Sequence, residues 1–190
     1  MGKSVVEIRQ LDKFDRAFEA VGGTPADFDK MSQADLLRQL LGVVRGKAVV
    51  AKIVIDLAKD PFCPNSGTVE PGDHQRGDAN FEWDPDMVAL YLDEVQMGGR
   101  FINGYKLREK LIGKHVFNAN ALDYLLANSY LIPREWKGRR IFFWGTIYRN
   151  SRGVQHVRYL YWGSDGQWDS GYQSLDIDVD PFSPALVLVA

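Results

Sequence analysis

A run of closely spaced aromatics between Arg140 and Leu175 constrains this chain more than any other feature. Nine of its 23 Phe, Tyr and Trp residues fall there, in under a fifth of the length: Phe142, Phe143, Trp144, Tyr148, Tyr159, Tyr161, Trp162, Trp168 and Tyr172. They lie on three strand-like runs. The runs are broken by Asn150-Ser-Arg-Gly153 and Gly163-Ser-Asp-Gly166. Each break suits a type I turn whose last glycine takes the left-handed conformation and forms a bulge. Counting outward sets Trp144 opposite Leu160, Tyr148 opposite His156 and Trp162 opposite Trp168. One face then collects Phe142, Trp144, Thr146, Tyr148, His156, Arg158, Leu160, Trp162, Trp168 and Tyr172. The other collects Ile141, Phe143, Ile147, Val157, Tyr159 and Tyr161. Side chains alternate along a strand, so a slip of one residue would exchange these faces.

The chain upstream reads as helical. Leu11, Phe14, Ala17, Phe18 and Val21 follow helical spacing up to Gly22-Gly23, and Ser32 caps a second stripe of Leu36, Leu37, Leu40 and Leu41. A third apolar run, Ala48–Leu57, has the length of a helix despite its β-branched residues. Residues 61–80 are rich in Pro and Gly and read as a loop or linker. Asp84, with Pro85 behind it, then opens a helix over Val88, Tyr91, Leu92 and Val95 that stops at Gly98-Gly99. Shorter helices follow from Lys106 to Ile112 and after Asn118, with a last turn between Pro133 and Gly138. The expectation is an α+β fold: a helical N-terminal region (1–60), the linker (61–80), and an α+β domain (81–190). In that domain short helices precede a C-terminal antiparallel meander of three to four strands.

Charge is segregated along the chain. Arg134–Arg158 carries seven Lys and Arg against Glu135 alone, a net of +6, whereas Tyr159–Ala190 carries five Asp and no base. A basic aromatic segment can bind nucleic acid. Neighbouring basic and acidic strands can equally neutralise each other. Cys63 is the only cysteine, which excludes an internal disulfide and fits a reducing compartment. The first residues lack the apolar core of a signal peptide, and no apolar run reaches the roughly 20 residues of a membrane span. These features predict a cytoplasmic protein with no membrane contact.

The stretches Asn118-Ala-Asn-Ala-Leu-Asp-Tyr-Leu-Leu-Ala-Asn128, Leu131-Ile-Pro-Arg-Glu-Trp-Lys-Gly138, Phe142-Phe-Trp-Gly-Thr-Ile-Tyr-Arg149 and Val157-Arg-Tyr-Leu-Tyr-Trp162 carry a family resemblance. They resemble a group of uncharacterised small bacterial proteins common in the genomes of candidate-phylum bacteria. The resemblance covers residues 81–190 and, more loosely, the N-terminal third. It implies no activity and transfers no functional residue.

Catalytic and metal signatures are weak. His74, His115 and His156 have no partner at metal-ligand spacing. Asp176-Ile-Asp-Val-Asp180 begins like a calcium loop, but Pro181 replaces the glycine and Val187 the closing glutamate. Gly42–Ala48 lacks phosphate-loop spacing, and Glu82, Asp84 and Asp86 are accounted for mainly by helix capping. No cofactor or metal is expected. The candidate binding surface is therefore the belt itself: Arg140, Trp144, Tyr148, Arg149, His156, Arg158, Trp162, Trp168 and Tyr172. Trp, Tyr and Arg together mark protein interfaces, and on exposed strands they also stack single-stranded nucleic acid. A packed core is the competing account of the same residues. The function expected is non-enzymatic binding, with another protein as partner. The alternative is a single-stranded nucleic-acid module, and the third reading is a small hydrolase built on His156 or the Glu82–Asp86 acids.

Overall fold

The computed structural model describes residues 52–189 apart from Asn65 and Ser66, together with Phe18, Thr24, Ala26 and Asp27. The chain divides into two compact units, Met1–Ala51 and Lys52–Ala190. The helices expected over Leu11–Val21 and Ser32–Leu41 lie, apart from helical Phe18, outside the described residues.

The second unit begins with β1 (Val54–Ile55) and β2 (Gly67–Thr68). β3 (Phe81–Glu82) returns to pair with β1, and a 3-10 turn at Pro85–Met87 leads into β4 (Val88–Tyr91). Next come α1 (Glu94–Met97), β5 (Ile102–Asn103), α2 (Gly104–Lys110) and α3 (Ala119–Ala127). The chain ends in β6 (Ile141–Asn150), β7 (Gln155–Trp162), β8 (Trp168–Ser174), β9 (Asp178–Val179) and β10 (Ala185–Leu188). The segment 61–80 lies inside this unit. No helix among the described residues is long and apolar enough to cross a membrane.

This arrangement overturns the expected architecture. The main sheet has six strands, not three or four, in the order β4-β10-β6-β7-β8, with β2 pairing the far end of β6. It is mixed: β10 runs antiparallel to β4 but parallel to β6, where Ala185 lies beside Phe142. Helices are interspersed among the strands. The physical reason lies in two short apolar runs far apart in sequence, Val88-Ala-Leu-Tyr91 and Ala185-Leu-Val-Leu188. They pair along their whole length and so place β10 between β4 and β6.

Two expected helices change accordingly. Asp84 does cap a turn, its carboxylate accepting the Asp86 N–H at 2.9 Å, but the turn ends at Met87. A second signal, the capping box of Asp93 and Gln96, restarts the helix only at Glu94. The Asp93 carboxylate accepts the Val95 N–H and the Gln96 amide oxygen accepts the Asp93 N–H, each at 3.1 Å. Of the run Ala48–Leu57, residues 48–51 lie outside the described residues; in the rest, Val54 and Ile55 are extended against Glu82 and Phe81, as β-branched residues favour.

Both faces of the sheet are covered. On one, Ala121, Leu122 and Leu125 of α3 pack with Ile141, Phe143, Leu160 and Leu186. On the other, Leu107 of α2 and Leu111 pack with Phe142, Trp144, Ile147 and Val157. The two hairpin turns form as their chemistry requires. Gly153 has φ +78°, and its N–H donates to Asn150 O at 2.9 Å. Gly166 repeats the geometry at φ +77°.

The register between β6 and β7 departs from the simple count. Tyr148 faces His156, and β7 and β8 set Trp162 against Trp168. The expected pairing of Trp144 with Leu160 does not form. Leu160 faces Ile141, Arg158 faces Phe143, and the ladder resumes with Val157 against Ile147. Trp144, Gly145 and Thr146 are thus inserted between adjacent β7 partners. An insertion of three is odd, so it exchanges the faces of everything before it. Phe142 and Trp144 turn to the α2 side, and Ile141 and Phe143 to the α3 side.

The backbone groups freed by this bulge find other partners, as buried groups must. Gly145 N–H donates to Phe117 O at 2.9 Å, and its carbonyl accepts the Gln75 N–H at 2.7 Å. Thr146 Oγ1 accepts the Ala119 N–H at 3.0 Å and lies 2.8 Å from His74 Nδ1. The other ring nitrogen of His74 faces the Lys59 carbonyl at 3.1 Å. A carbonyl only accepts, so Nε2 carries the proton and Nδ1 accepts from the Thr146 hydroxyl. The bulge therefore ties three segments together: the strand, the start of α3 and the Asp73–Gln75 loop.

Candidate functional site

β6 and β8 end, and β7 begins, beside Pro64 and Gly67. A cleft of about 220 Å³ opens there, lined by Tyr148, Arg149, His156 and Tyr172 with Pro64 and Gly67. Strand alternation places Tyr148, His156 and Tyr172 on one face of the sheet, the face that α3 covers further along.

Each side chain is held from below. Tyr148 is only 2% exposed and donates its hydroxyl to Phe62 O at 3.1 Å. Burial pushes its phenol up to about 12, so it stays protonated at neutral pH. Its ring meets Tyr172 edge-on, with centroids 5.5 Å apart. Tyr172 is 42% exposed and forms the open wall. Burial raises its phenol too, against the opposing pull of Arg158. His156 donates Nδ1–H to Val154 O, two residues back, at 3.0 Å, which leaves Nε2 as the acceptor of the neutral ring.

Arg158 lies beneath the rings. It is buried, and it donates to Asp123 Oδ1 at 2.7 Å and Ser170 Oγ at 3.1 Å. Its guanidinium lies 5.5 Å from the Tyr172 ring centre. Burial opposes its charge, but Asp123 together with Tyr172 and Tyr148 holds Arg158 above its ordinary value. Arg149 is held from the other face of the sheet. Asp73 Oδ2 accepts from its Nη2 at 2.9 Å and its Nε at 3.2 Å. Asp73 Oδ1 accepts from Arg108 Nη2 at 2.7 Å, and Arg108 Nη1 reaches Gln155 Oε1 at 3.2 Å. Two guanidiniums thus share one carboxylate, leaving one positive charge over.

The candidate residues divide into three groups. Tyr148, Arg149, His156 and Tyr172 line the cleft and Arg158 supports it. Trp162 and Trp168 lie at the other turn, edge to face at 5.3 Å, with the Lys137 ammonium 3.3 Å from the Trp162 ring centre. Arg140 is nearer that end too, paired with Asp180 and 5.8 Å from the Tyr159 ring centre. Trp144 is inside the core, 4% exposed and stacked on Phe142.

No family model, no curated protein and no solved structure matches this chain. The arginines expected to form a basic strip are each paired with an aspartate: Arg140 with Asp180, Arg149 with Asp73, Arg158 with Asp123. Only Asp180 belongs to the acidic tail. Burial tends to raise its carboxyl, but Ser183, the Phe182 N–H and Arg140 together hold it below the usual range. Among the described residues, no group of three or more His, Cys, Asp or Glu could hold a metal ion. Asp73, Arg108, Asp123 and Gln155 carry much of this geometry, yet nothing local in the sequence marks them. Each meets its partner from a distant segment.

Proposed function

We propose that this chain is a non-enzymatic binding protein that takes a protein partner at the Tyr148–His156–Tyr172 cleft. The observation that carries this is the exposure of Tyr172 beside a concavity, while Phe142, Phe143, Trp144 and Tyr148 of the same belt are buried. A cleft of about 220 Å³ has room for one large side chain. Tyr, His and Arg around such a pocket are the residue types that anchor interfaces, because rigid rings bury area at little entropic cost. Tyr148, Arg149 and Arg158 are already fixed by hydrogen bonds, so the cleft is preorganised.

The paired arginines favour this reading over the nucleic-acid alternative. A guanidinium shared with an aspartate releases fewer counterions from a phosphate backbone. His156 favours it over hydrolysis, since neither of its ring nitrogens bonds a carboxylate among the described residues. The test is affinity capture with Tyr172→Ala beside wild type and Tyr130→Ala. Tyr130 is 80% exposed and does not line the cleft. The binding reading expects a partner held by wild type and Tyr130→Ala and lost by a folded Tyr172→Ala. Equal retention by all three contradicts it.

A further inference from the structure

Among the described residues β8, the strand that carries Tyr172, is the outermost of the main sheet on its side. Which of its backbone groups face outward follows from the two ends of the β7–β8 ladder. Gly163 N–H donates to Gln167 O at 2.7 Å, and Leu175 N–H donates to Gln155 O at 2.9 Å. Antiparallel pairs alternate between bonded and unbonded, and the register between these ends runs without a shift. Asp169, Gly171 and Gln173 therefore turn their backbone groups to β7, whereas Ser170, Tyr172 and Ser174 turn theirs to the open edge. Two of the outward groups are taken. Ser170 N–H donates to Asp169 Oδ1 at 2.6 Å, and Ser174 O accepts the Ile177 N–H at 3.1 Å. Both backbone groups of Tyr172, the Ser170 carbonyl and the Ser174 N–H have no partner among the described residues.

Such an edge is a template for another strand. Its charge says which kind. Asp165, Asp169, Asp176 and Asp178 are all exposed, and none of them is ion-paired among the described residues. No Lys or Arg occurs from Tyr159 to Ala190. A second copy would lay the same acids alongside these, which disfavours pairing of β8 with itself. A basic segment would be drawn in.

We propose that β8 takes an extended, basic segment of the partner protein as a seventh, antiparallel strand on the six-stranded sheet. The proposal rests on the binding reading above and gives the partner its chemistry. The partner residue opposite Tyr172 exchanges both main-chain hydrogen bonds with it and projects its side chain on the cleft side of the sheet. Three residues nearer the partner's C-terminus, a Lys or Arg falls opposite Asp169. Main-chain bonding supplies the affinity, and these side chains supply register and selectivity.

The first measurement needs no ligand. In the ¹⁵N-labelled full chain the Tyr172 amide should exchange with solvent faster than the flanking Gly171 and Gln173 amides, by about tenfold or more. Equal protection of the three would mean that the edge is already closed, and would overturn the proposal. The second measurement selects a phage-displayed library of random linear peptides on the full chain at low salt. The enriched peptides should carry net positive charge and should slow the Tyr172 and Ser174 amides by about tenfold near saturation. Ser174→Pro removes an outward N–H without touching the β7 ladder or the cleft lining. It should weaken these peptides by about fivefold or more, the worth of one lost hydrogen bond. Tyr172→Ala separates this proposal from the reading it rests on, because it removes the cleft ring and keeps the edge backbone. Peptides that still protect the edge amides of Tyr172→Ala leave the strand standing without the cleft. Peptides held fully by folded Ser174→Pro, with the amides of wild type left fast, leave the cleft standing and overturn the strand. Acidic or neutral peptides, no enriched peptide, or a dimer in sedimentation that protects the Tyr172 amide without peptide would overturn it as well. The amide exchange of wild type decides even if Ser174→Pro fails to fold.

Discussion

Gly145→Ala is the sharpest perturbation of this fold. A Cβ at position 145 would stand 2.9 Å from the Asn118 Cα, from the Asn118 N and from the Phe117 carbonyl carbon. All three are backbone atoms, so no side chain can rotate away. The strand must retreat from the start of α3. That movement stretches Gly145 N–H to Phe117 O and Gln75 N–H to Gly145 O, now 2.9 and 2.7 Å. Overpacking a filled interior costs about 1–3 kcal/mol. Two weakened hydrogen bonds, each worth about 1 kcal/mol at most, push the total toward the upper end, about 3 kcal/mol. For a chain of this size that is a fall in melting temperature of about 6–12 °C. Urea denaturation followed by tryptophan fluorescence and circular dichroism measures it, and an unchanged m value shows that the same surface is exposed on unfolding. An alanine variant as stable as wild type would mean that β6 does not approach α3 through this bulge, and the register described above would fall with it.

Other perturbations probe the support of the cleft and the turns. Asp123→Asn removes the counter-charge of buried Arg158. Because Asp123 is itself partly exposed, the cost should sit near the low end for a broken buried pair, about 3 kcal/mol by chemical denaturation; a change within error would mean that the pair is solvated. Gly153→Val forces a β-branched residue into φ +78° and should cost about 1 kcal/mol or more in a thermal melt, whereas an unchanged melt would indicate another turn. His74 supplies a pH dependence. Burial is the main cause that lowers its imidazole below the ordinary value of 6.5, so the unfolded chain binds its proton first. The stability it contributes is present above that value and declines as the pH falls through the lowered one. The urea midpoint should therefore drop on acidification below about pH 6.5, and less so in His74→Gln. An identical pH profile in the two proteins would remove His74 from the account.

What the sequence reveals here is whatever its local chemistry decides. Gly153 and Gly166 mark their turns because a left-handed residue is needed within the turn itself. Asn118 marks α3 because its carboxamide oxygen accepts the Asn120 N–H two residues on, at 3.1 Å. The mixed sheet is not legible in the same way. Val88-Ala-Leu-Tyr91 carries spacing that suits a helix as well as a strand, and its partner β10 lies nearly a hundred residues away. The bulge did leave a trace, since a lone glycine inside an aromatic strand signals either a kink or a close backbone approach. Its size could not be read, because Phe117 and Gln75 hold it from other segments. The same limit applies to the site. The pairing of Tyr148 with His156 follows from the turn, so half the cleft is visible in the chain. Trp144, inside an odd insertion, turns away from that cleft toward the α2 face. The aspartates that hold Arg149 and Arg158 come from a loop and a helix that no strand pattern connects to them.

The central claim is that Tyr172 stands at the edge of a protein-binding cleft, and site-specific photo-crosslinking tests it most directly. p-Benzoylphenylalanine replaces Tyr172 in one version of the full chain and the highly exposed Tyr130 in another, each expressed in the native host and irradiated in intact cells. The account predicts a discrete protein adduct from position 172 that position 130 does not give. Adducts of equal pattern from both positions, no adduct at all, or adducts removed by nuclease would contradict it.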